Sequence, residues 1–133
     1  MKKATYISLN GNNFYGTIPL TIAKLTNLDT LRLDNNSLTG MIPTSIFAIE
    51  KPFLRYLQLS RNKFTGTIPT NLMSSTPVLN SFTANMNKLH GTIPTEFAEA
   101  TELTSLELDT NQLTGLIHWC VVKLHTVLFI CIL

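Results

Sequence analysis

The chain has 133 residues, of which 44% are hydrophobic and 14% charged, and its ten basic and eight acidic residues leave a net charge of +2. This length fits one domain with a buried core, and the composition excludes a disordered, highly charged chain. The small positive charge predicts neither a nucleic-acid-binding surface nor strong attraction to anionic lipid. The N-terminal segment MKKATYISLNGNN has no sustained apolar run, so it does not resemble a signal peptide.

A short phrase containing glycine recurs five times along the chain, at intervals of 24, 26, 25 and 24 residues. The five glycines are Gly16, Gly40, Gly66, Gly91 and Gly115. An asparagine stands four residues before each of them, and these are Asn12, Asn36, Asn62, Asn87 and Asn111. A fixed period of this length is typical of a solenoid of stacked coils.

An apolar pattern of the form LxxLxL precedes each asparagine. In chain order its members are Ala4, Ile7 and Leu9; Leu28, Leu31 and Leu33; Leu54, Leu57 and Leu59; Leu79, Phe82 and Ala84; Leu103, Leu106 and Leu108. The alternation in its second half predicts a short strand with one buried face, and strands of successive coils should pair in parallel. Apolar residues beyond the Ile-Pro, such as Ile22 and Leu25, predict a short helical turn facing the core. The predicted fold is therefore an α/β repeat solenoid.

The recurring asparagine and glycine have separate predicted roles. The asparagine amide should hydrogen-bond backbone groups of its own and the next coil, which repeated five times forms a structural ladder. Glycine permits a tight bend or a close approach of backbone.

The repeat pattern divides the chain into two parts. Residues 1–117 hold five repeats, at about 4–27, 28–53, 54–78, 79–102 and 103–117, and residues 118–133 form an apolar tail. One interpretation of the tail is a degenerate sixth repeat, with Val127, Ile130 and Ile132 at the LxxLxL positions. The other is the start of a membrane segment, although Trp119 to Leu133 is only 15 residues and a spanning helix needs about 20.

A metal site in the tail is the least favoured interpretation. The tail holds four residues of metal-binding type, which are His118, Cys120, His125 and Cys131. Their spacing matches no common zinc pattern, so no metal and no cofactor is predicted.

The phrase LxxLxLxxNxLxGxIP resembles the plant-type class of leucine-rich repeats over about residues 4–117. That class forms the ectodomains of receptor-like kinases and receptor-like proteins, and also secreted inhibitors of polygalacturonase. The resemblance implies a right-handed superhelix, with a parallel strand ladder on the concave face, an extra short strand near Gly-x-Ile-Pro, and short helical or irregular returns on the convex face. It also implies an extracellular or plasma-membrane location. Cysteine-paired caps typical of the family are absent from the repeats, which favours a fragment of a longer receptor-like chain.

Solenoids bind partners on extended concave faces, and members of this class use that face for peptides, hormones or partner proteins. The strand pattern places these candidate ligand-binding residues there: Tyr6, Ser8, Asn10, Thr30, Arg32, Asp34, Tyr56, Gln58, Ser60, Arg61, Ser81, Thr83, Asn85, Ser105, Glu107 and Asp109. The sequon Asn35-Asn36-Ser37 makes Asn35 a candidate glycosylation site if the chain is secreted.

No catalytic motif appears in the sequence. The predicted function is a non-catalytic protein- or peptide-binding module of a cell-surface receptor-like protein in recognition or signalling, with membrane contact open through the tail. The alternatives are a secreted inhibitor or wall-associated repeat protein, or a piece of a receptor kinase ectodomain whose catalytic domain lies outside this sequence.

Overall fold

The computed structural model describes residues 4–47 and 51–115, together with the backbone of residues 129–131. In chain order the strands are β1 (Tyr6–Ser8), β2 (Tyr15–Gly16), β3 (Thr30–Arg32), β4 (Ser37–Met41), β5 (Tyr56–Gln58), β6 (Lys63–Thr65), β7 (Ser81–Thr83), β8 (His90–Gly91), β9 (Ser105–Glu107), β10 (Gln112–Leu113) and β11 (Phe129–Cys131). The helical segments within these ranges are three 3₁₀ helices, Leu20–Lys24, Thr44–Phe47 and Thr95–Glu99, and one short α-helix, α1 (Leu72–Ser75).

The principal sheet is a parallel ladder with the order β1-β3-β5-β7-β9-β11. Its register places the middle apolar residue of each coil opposite that of the next, so that Leu31 pairs with Ile7 on one side and with Leu57 on the other. The same register continues from Leu57 to Phe82 and Leu106. The predicted parallel ladder of a repeat solenoid is confirmed.

Strand β11 adds to this ladder beside β9, with Ile130 opposite Leu106. This is the register that a sixth repeat requires, and we propose that interpretation for the tail. The residues between 115 and 129 lie outside the described part, and so do the side chains of 129–131, which include Cys131. Within the described residues, no helix has the length and apolar character needed to cross a membrane. The repeat boundaries given above stay a prediction.

A second set of strands forms beside the principal ladder, where the chain leaves each asparagine. Strands β2, β4 and β6 form a three-stranded parallel sheet, and β8 pairs with β10. The gap between these two sheets is bridged by backbone hydrogen bonds, including one from the Lys88 N–H to the Phe64 carbonyl at 2.8 Å. The extra short strand near Gly-x-Ile-Pro is confirmed.

Gly40 shows why glycine recurs in this phrase. Its φ of +78° lies in the region that glycine favours. A Cβ placed there would also lie 2.8 Å from Cγ2 of Thr17 in the preceding coil. The backbone conformation and the contact with Thr17 therefore both disfavour a side chain at this position.

The returns on the opposite side are short and mostly 3₁₀. Pro19 and Pro94 immediately precede two of these helices, with φ of −69° and −58°, the value to which the ring restricts proline. The helical segments of the returns bury five apolar side chains, namely Ile46, Phe47, Leu72, Met73 and Phe97. The predicted residues Ile22 and Leu25 are partly buried and pack against the same core. The predicted helical turn facing the core is confirmed.

The core lies between the strand ladder and the returns. In the second to fifth repeats the LxxLxL side chains are all buried, and they are Leu28, Leu31, Leu33, Leu54, Leu57, Leu59, Leu79, Phe82, Ala84, Leu103, Leu106 and Leu108. Phe82 and the return residue Phe97 contact across this core, with ring centroids 6.1 Å apart. In the first coil the apolar side chains of this pattern are less buried, and Leu9 is 42% exposed.

The recurring asparagines form a hydrogen-bonded ladder. The Asn62 amide donates to the Leu33 carbonyl of the preceding coil at 2.9 Å, and its Oδ1 accepts the Leu38 N–H at 2.9 Å. Asn36, Asn87 and Asn111 repeat this arrangement. The bonds between coils therefore run to the preceding coil, and the expectation that they run to the next coil was wrong.

Candidate ligand-binding surface

The concave face consists of the strand residues that point away from the core. Successive strands are roughly 4.8 Å apart, so a side chain on this face has its nearest neighbours in adjacent coils. Tyr6 and Tyr56 are 60% and 38% exposed, whereas Thr30 between them is only 6% exposed. A small side chain flanked by two large ones is covered by them, which the sequence pattern alone does not reveal.

The predicted site residues divide into two groups by exposure. Those exposed or partly exposed are Tyr6, Ser8, Asn10, Arg32, Asp34, Tyr56, Gln58, Arg61, Asn85, Ser105, Glu107 and Asp109. Four others are buried, and these are Thr30, Ser60, Ser81 and Thr83. The buried residues have little surface to offer a large partner and can act only as the floor of a site.

A depression of about 330 Å³ lies on the carboxyl side of the ladder, and we call it the concave depression. Its lining comes from four neighbouring coils and consists of Arg32, Asp34, Gln58, Ser60, Arg61, Thr83, Asn85 and Glu107. All eight belong to the predicted set. The structure therefore brings together residues that are as far as 75 positions apart in the sequence, from Arg32 to Glu107.

Several polar atoms of this depression are buried without a hydrogen-bond partner in the described part of the chain. They are Nε of Arg32, Oδ1 of Asp34, Oγ of Ser60 and Oδ1 of Asn85. The Arg32 and Asp34 atoms form an ion pair at 3.7 Å, which is longer than a hydrogen bond. Buried polar groups normally have partners, and an unpaired one costs about 1–3 kcal/mol. A ligand with its own donors and acceptors would recover this free energy.

The rim of the concave face is shaped by a left-handed backbone residue in each coil. Asn35, Arg61, Met86 and Thr110 have φ between +54° and +58°, and Gly11 has φ of +68°. Each stands directly before a ladder asparagine and directs the chain into it. Arg61 and Met86 are exposed, and Arg61 lines the concave depression. Only Gly11 and Asn35 are residue types that signal this conformation in a sequence.

A second depression, of about 430 Å³, lies where the first three principal strands begin, and we call it the strand-start pocket. Its lining consists of Thr5, Tyr6, Asn27, Asp29, Phe53 and Arg55. Of these only Tyr6 belongs to the predicted set. The aligned repeats could have indicated an ion pair at this place. Asp29 and Arg55 occupy the same repeat position in neighbouring coils and carry opposite charges. In the structure Arg55 Nε lies 3.0 Å from Asp29 Oδ2.

Metal-binding side chains do not cluster in the described ranges. Residues 4–47 and 51–115 contain no group of three or more His, Cys, Asp or Glu side chains that could hold an ion. The candidates His118, Cys120, His125 and Cys131 lie beyond the side chains that the structure describes. Asn35, the candidate glycosylation site, is exposed at the rim of the concave face.

A family model described as Leucine Rich Repeat matches residues 3–25, 27–49 and 53–75, together more than half of the chain. The chain belongs to the leucine-rich repeat family. Its three matched segments overlap the first three repeats of the predicted array. No curated protein sequence matches the chain significantly.

Solved structures extend the likeness of this leucine-rich repeat chain to the whole array. The Arabidopsis receptor kinase HAESA, in complex with the peptide hormone IDA and the co-receptor SERK1, is 30% identical with a TM-score of 0.90, over 96% of this chain and 21% of that one. The plant peptide hormone receptor RGFR1, in complex with RGF2, is 37% identical with a TM-score of 0.84, over 90% and 19%. A BIR3–SERK2 complex from Arabidopsis thaliana is 33% identical with a TM-score of 0.80, over 86% and 60%.

These matches define what the chain is similar to. Its leucine-rich repeats resemble those of plant receptor ectodomains, and the chain spans about a fifth of the length of the peptide receptors that it matches. The solenoid fold and the resemblance to plant receptor-like proteins are confirmed.

Proposed function

We propose that this chain is a non-catalytic module that binds a peptide or an extended protein segment in the concave depression, as part of a receptor-like protein at the cell surface. The observation that carries the proposal is a group of buried polar atoms around one depression that have no hydrogen-bond partner among the described residues, and they belong to Arg32, Asp34, Ser60 and Asn85. Similar chains with known structures were captured with peptide hormones, which supports a peptide as the ligand class.

The chemistry of the depression favours an extended backbone over a compact charged ligand. Ser60 and Asn85 present a hydroxyl and an amide oxygen, which match the N–H and C=O groups that an extended peptide exposes. Arg32 and Arg61 are balanced by Asp34 and Glu107, so a peptide with side chains of both signs would be accommodated. The residues at the floor are small, which leaves room for the peptide to lie close to the strands.

The location and the modification of the chain follow from the same proposal. A receptor-like module faces the extracellular side, where the exposed Asn35 would be accessible to glycosylation. A glycan at the rim would limit the approach of partners from that side. The array supplies no catalytic step in this account, and its role is to recognise a ligand.

The experiment is a selection of random 12-residue peptides, displayed on phage, against the full chain. Selected peptides should lose binding by about tenfold or more when Glu107→Ala removes a charged side chain from the depression. Lys88→Ala is the matched control, because Lys88 is exposed but lies outside the depression. Equal binding of the selected peptides to the Glu107 and Lys88 variants would reject the concave depression as the site.

A further inference from the structure

The strand-start pocket is lined by both aromatic and polar side chains. Tyr6 and Phe53 contribute aromatic rings that are 60% and 55% exposed. Thr5, Asn27, Asp29 and Arg55 contribute a hydroxyl, an amide, a carboxylate and a guanidinium. The exposed rings and the polar groups line the same pocket, so a ligand bound there would contact apolar and polar surface together.

The charged groups of this pocket neutralise each other. Asp29 accepts a hydrogen bond from the Thr30 hydroxyl on Oδ1 at 2.7 Å, and its Oδ2 lies 3.0 Å from Arg55 Nε. Both carboxylate oxygens therefore already have a partner. Because the ion pair uses Nε, the terminal amino groups of the Arg55 guanidinium remain as donors for a ligand. A ligand that carries net charge gains little from a pair whose charges cancel.

A purely apolar ligand fits the pocket no better. Covering the Asp29–Arg55 pair with an apolar group would remove it from water without replacing its hydrogen bonds, which is costly. The occupant must therefore be neutral, have a flat apolar face for the rings of Tyr6 and Phe53, and carry several hydroxyl or carbonyl groups. A sugar ring has this combination, since its C–H groups form an apolar face and its hydroxyls both donate and accept hydrogen bonds.

We infer that the strand-start pocket binds a neutral oligosaccharide, with a sugar ring against Tyr6 and Phe53 and its hydroxyls on Arg55 and Asn27. The volume of about 430 Å³ falls in the range of small-ligand sites. The pocket is distinct from the concave depression, because Arg55 immediately precedes β5 and Gln58 is its last residue. Its occupation therefore does not depend on the peptide proposal.

The test is titration calorimetry of the full chain with cellohexaose, xylohexaose and mannohexaose, backed by saturation-transfer NMR on the same sugars. At least one should bind, and Phe53→Ala should weaken its association by about fivefold or more. Phe53 is half-exposed, so its replacement leaves the core unchanged. Tyr15→Ala is the matched control, because Tyr15 is an aromatic residue that is 87% exposed and lies outside the pocket.

The two variants distinguish a sugar site from a peptide site and from non-specific binding to exposed rings. Binding that is lost in Phe53→Ala and retained in Tyr15→Ala supports the inference. Absence of binding by all three sugars, or equal weakening in both variants, overturns it. Loss of a selected peptide's binding in Phe53→Ala, without any sugar binding, would assign the pocket to the peptide and overturn the sugar as its ligand.

Discussion

Replacing Asn62 with alanine tests the structural role of the asparagine ladder. Asn62 is 9% exposed, and its amide nitrogen lies within hydrogen-bond distance of the carbonyls of Leu33, Leu59 and Ser60, at 2.9, 3.2 and 3.2 Å. Its Oδ1 accepts the Leu38 N–H at 2.9 Å. An amide nitrogen has two hydrogens, so the substitution removes two donated bonds and one accepted bond.

The expected loss follows from these bonds. Each hydrogen bond contributes about 1 kcal/mol net, and a buried group left without a partner costs about 1–3 kcal/mol. Asn62→Ala should therefore lower the free energy of unfolding by about 3–5 kcal/mol, a large part of the typical total of about 5–15 kcal/mol.

Asn12 provides the matched control for this substitution. It occupies the same repeat position, but it is exposed, and among the described residues its amide donates to Leu9 and Asn10 of its own coil and to no other coil. Water can replace these bonds, so Asn12→Ala should cost about 1 kcal/mol or less. The measurement is urea unfolding followed by circular dichroism. Equal losses for the two variants, or a loss below about 1 kcal/mol for Asn62→Ala, would refute the role of the ladder.

Two further predictions concern backbone conformation and pH. Gly40→Ala should destabilise the chain by about 1–3 kcal/mol more than Gly16→Ala in the same unfolding assay. Both glycines have positive φ, but a Cβ at Gly40 would lie 2.8 Å from Thr17 Cγ2, whereas at Gly16 no atom lies within 4 Å; equal losses would show that φ alone matters. Burial lowers the pKa of Lys51 below its usual value of 10.5. Between the lowered pKa and 10.5 the unfolded chain binds more protons at this site, so the stability of the wild type relative to Lys51→Met should increase as pH rises through that window. A difference between the two proteins that does not change with pH would contradict this.

The sequence predicted the ladder well because residues at equal positions in successive repeats pair with each other in the parallel sheet. Leu31, Leu57 and Phe82 stand at equal positions in their coils, and the structure pairs them in that register. The burial of the LxxLxL columns followed from the two-residue period of a strand. Neither the register nor the burial depends on the identity of side chains in adjacent coils, so both could be predicted from the sequence.

The details of the site were harder to predict because they depend on neighbours in adjacent coils. Thr30 and Ser81 lie on the concave face as expected, yet both are buried, and each pairs across the ladder with the large residue Tyr56. The strand-start pocket was missed because Asp29 and Phe53 precede the strands, outside the alternating pattern that identifies the concave face. The left-handed conformation of Met86 is set by the bend into the next asparagine and has no signal in its residue type.

The most direct test of the binding proposal is photo-crosslinking with a selected peptide that carries benzoylphenylalanine, followed by mass spectrometry of the full chain. We expect crosslinks to residues around the concave depression, in particular Arg32, Gln58 and Asn85. Crosslinks confined to the returns Leu20–Lys24 and Thr95–Glu99 would contradict concave-face binding.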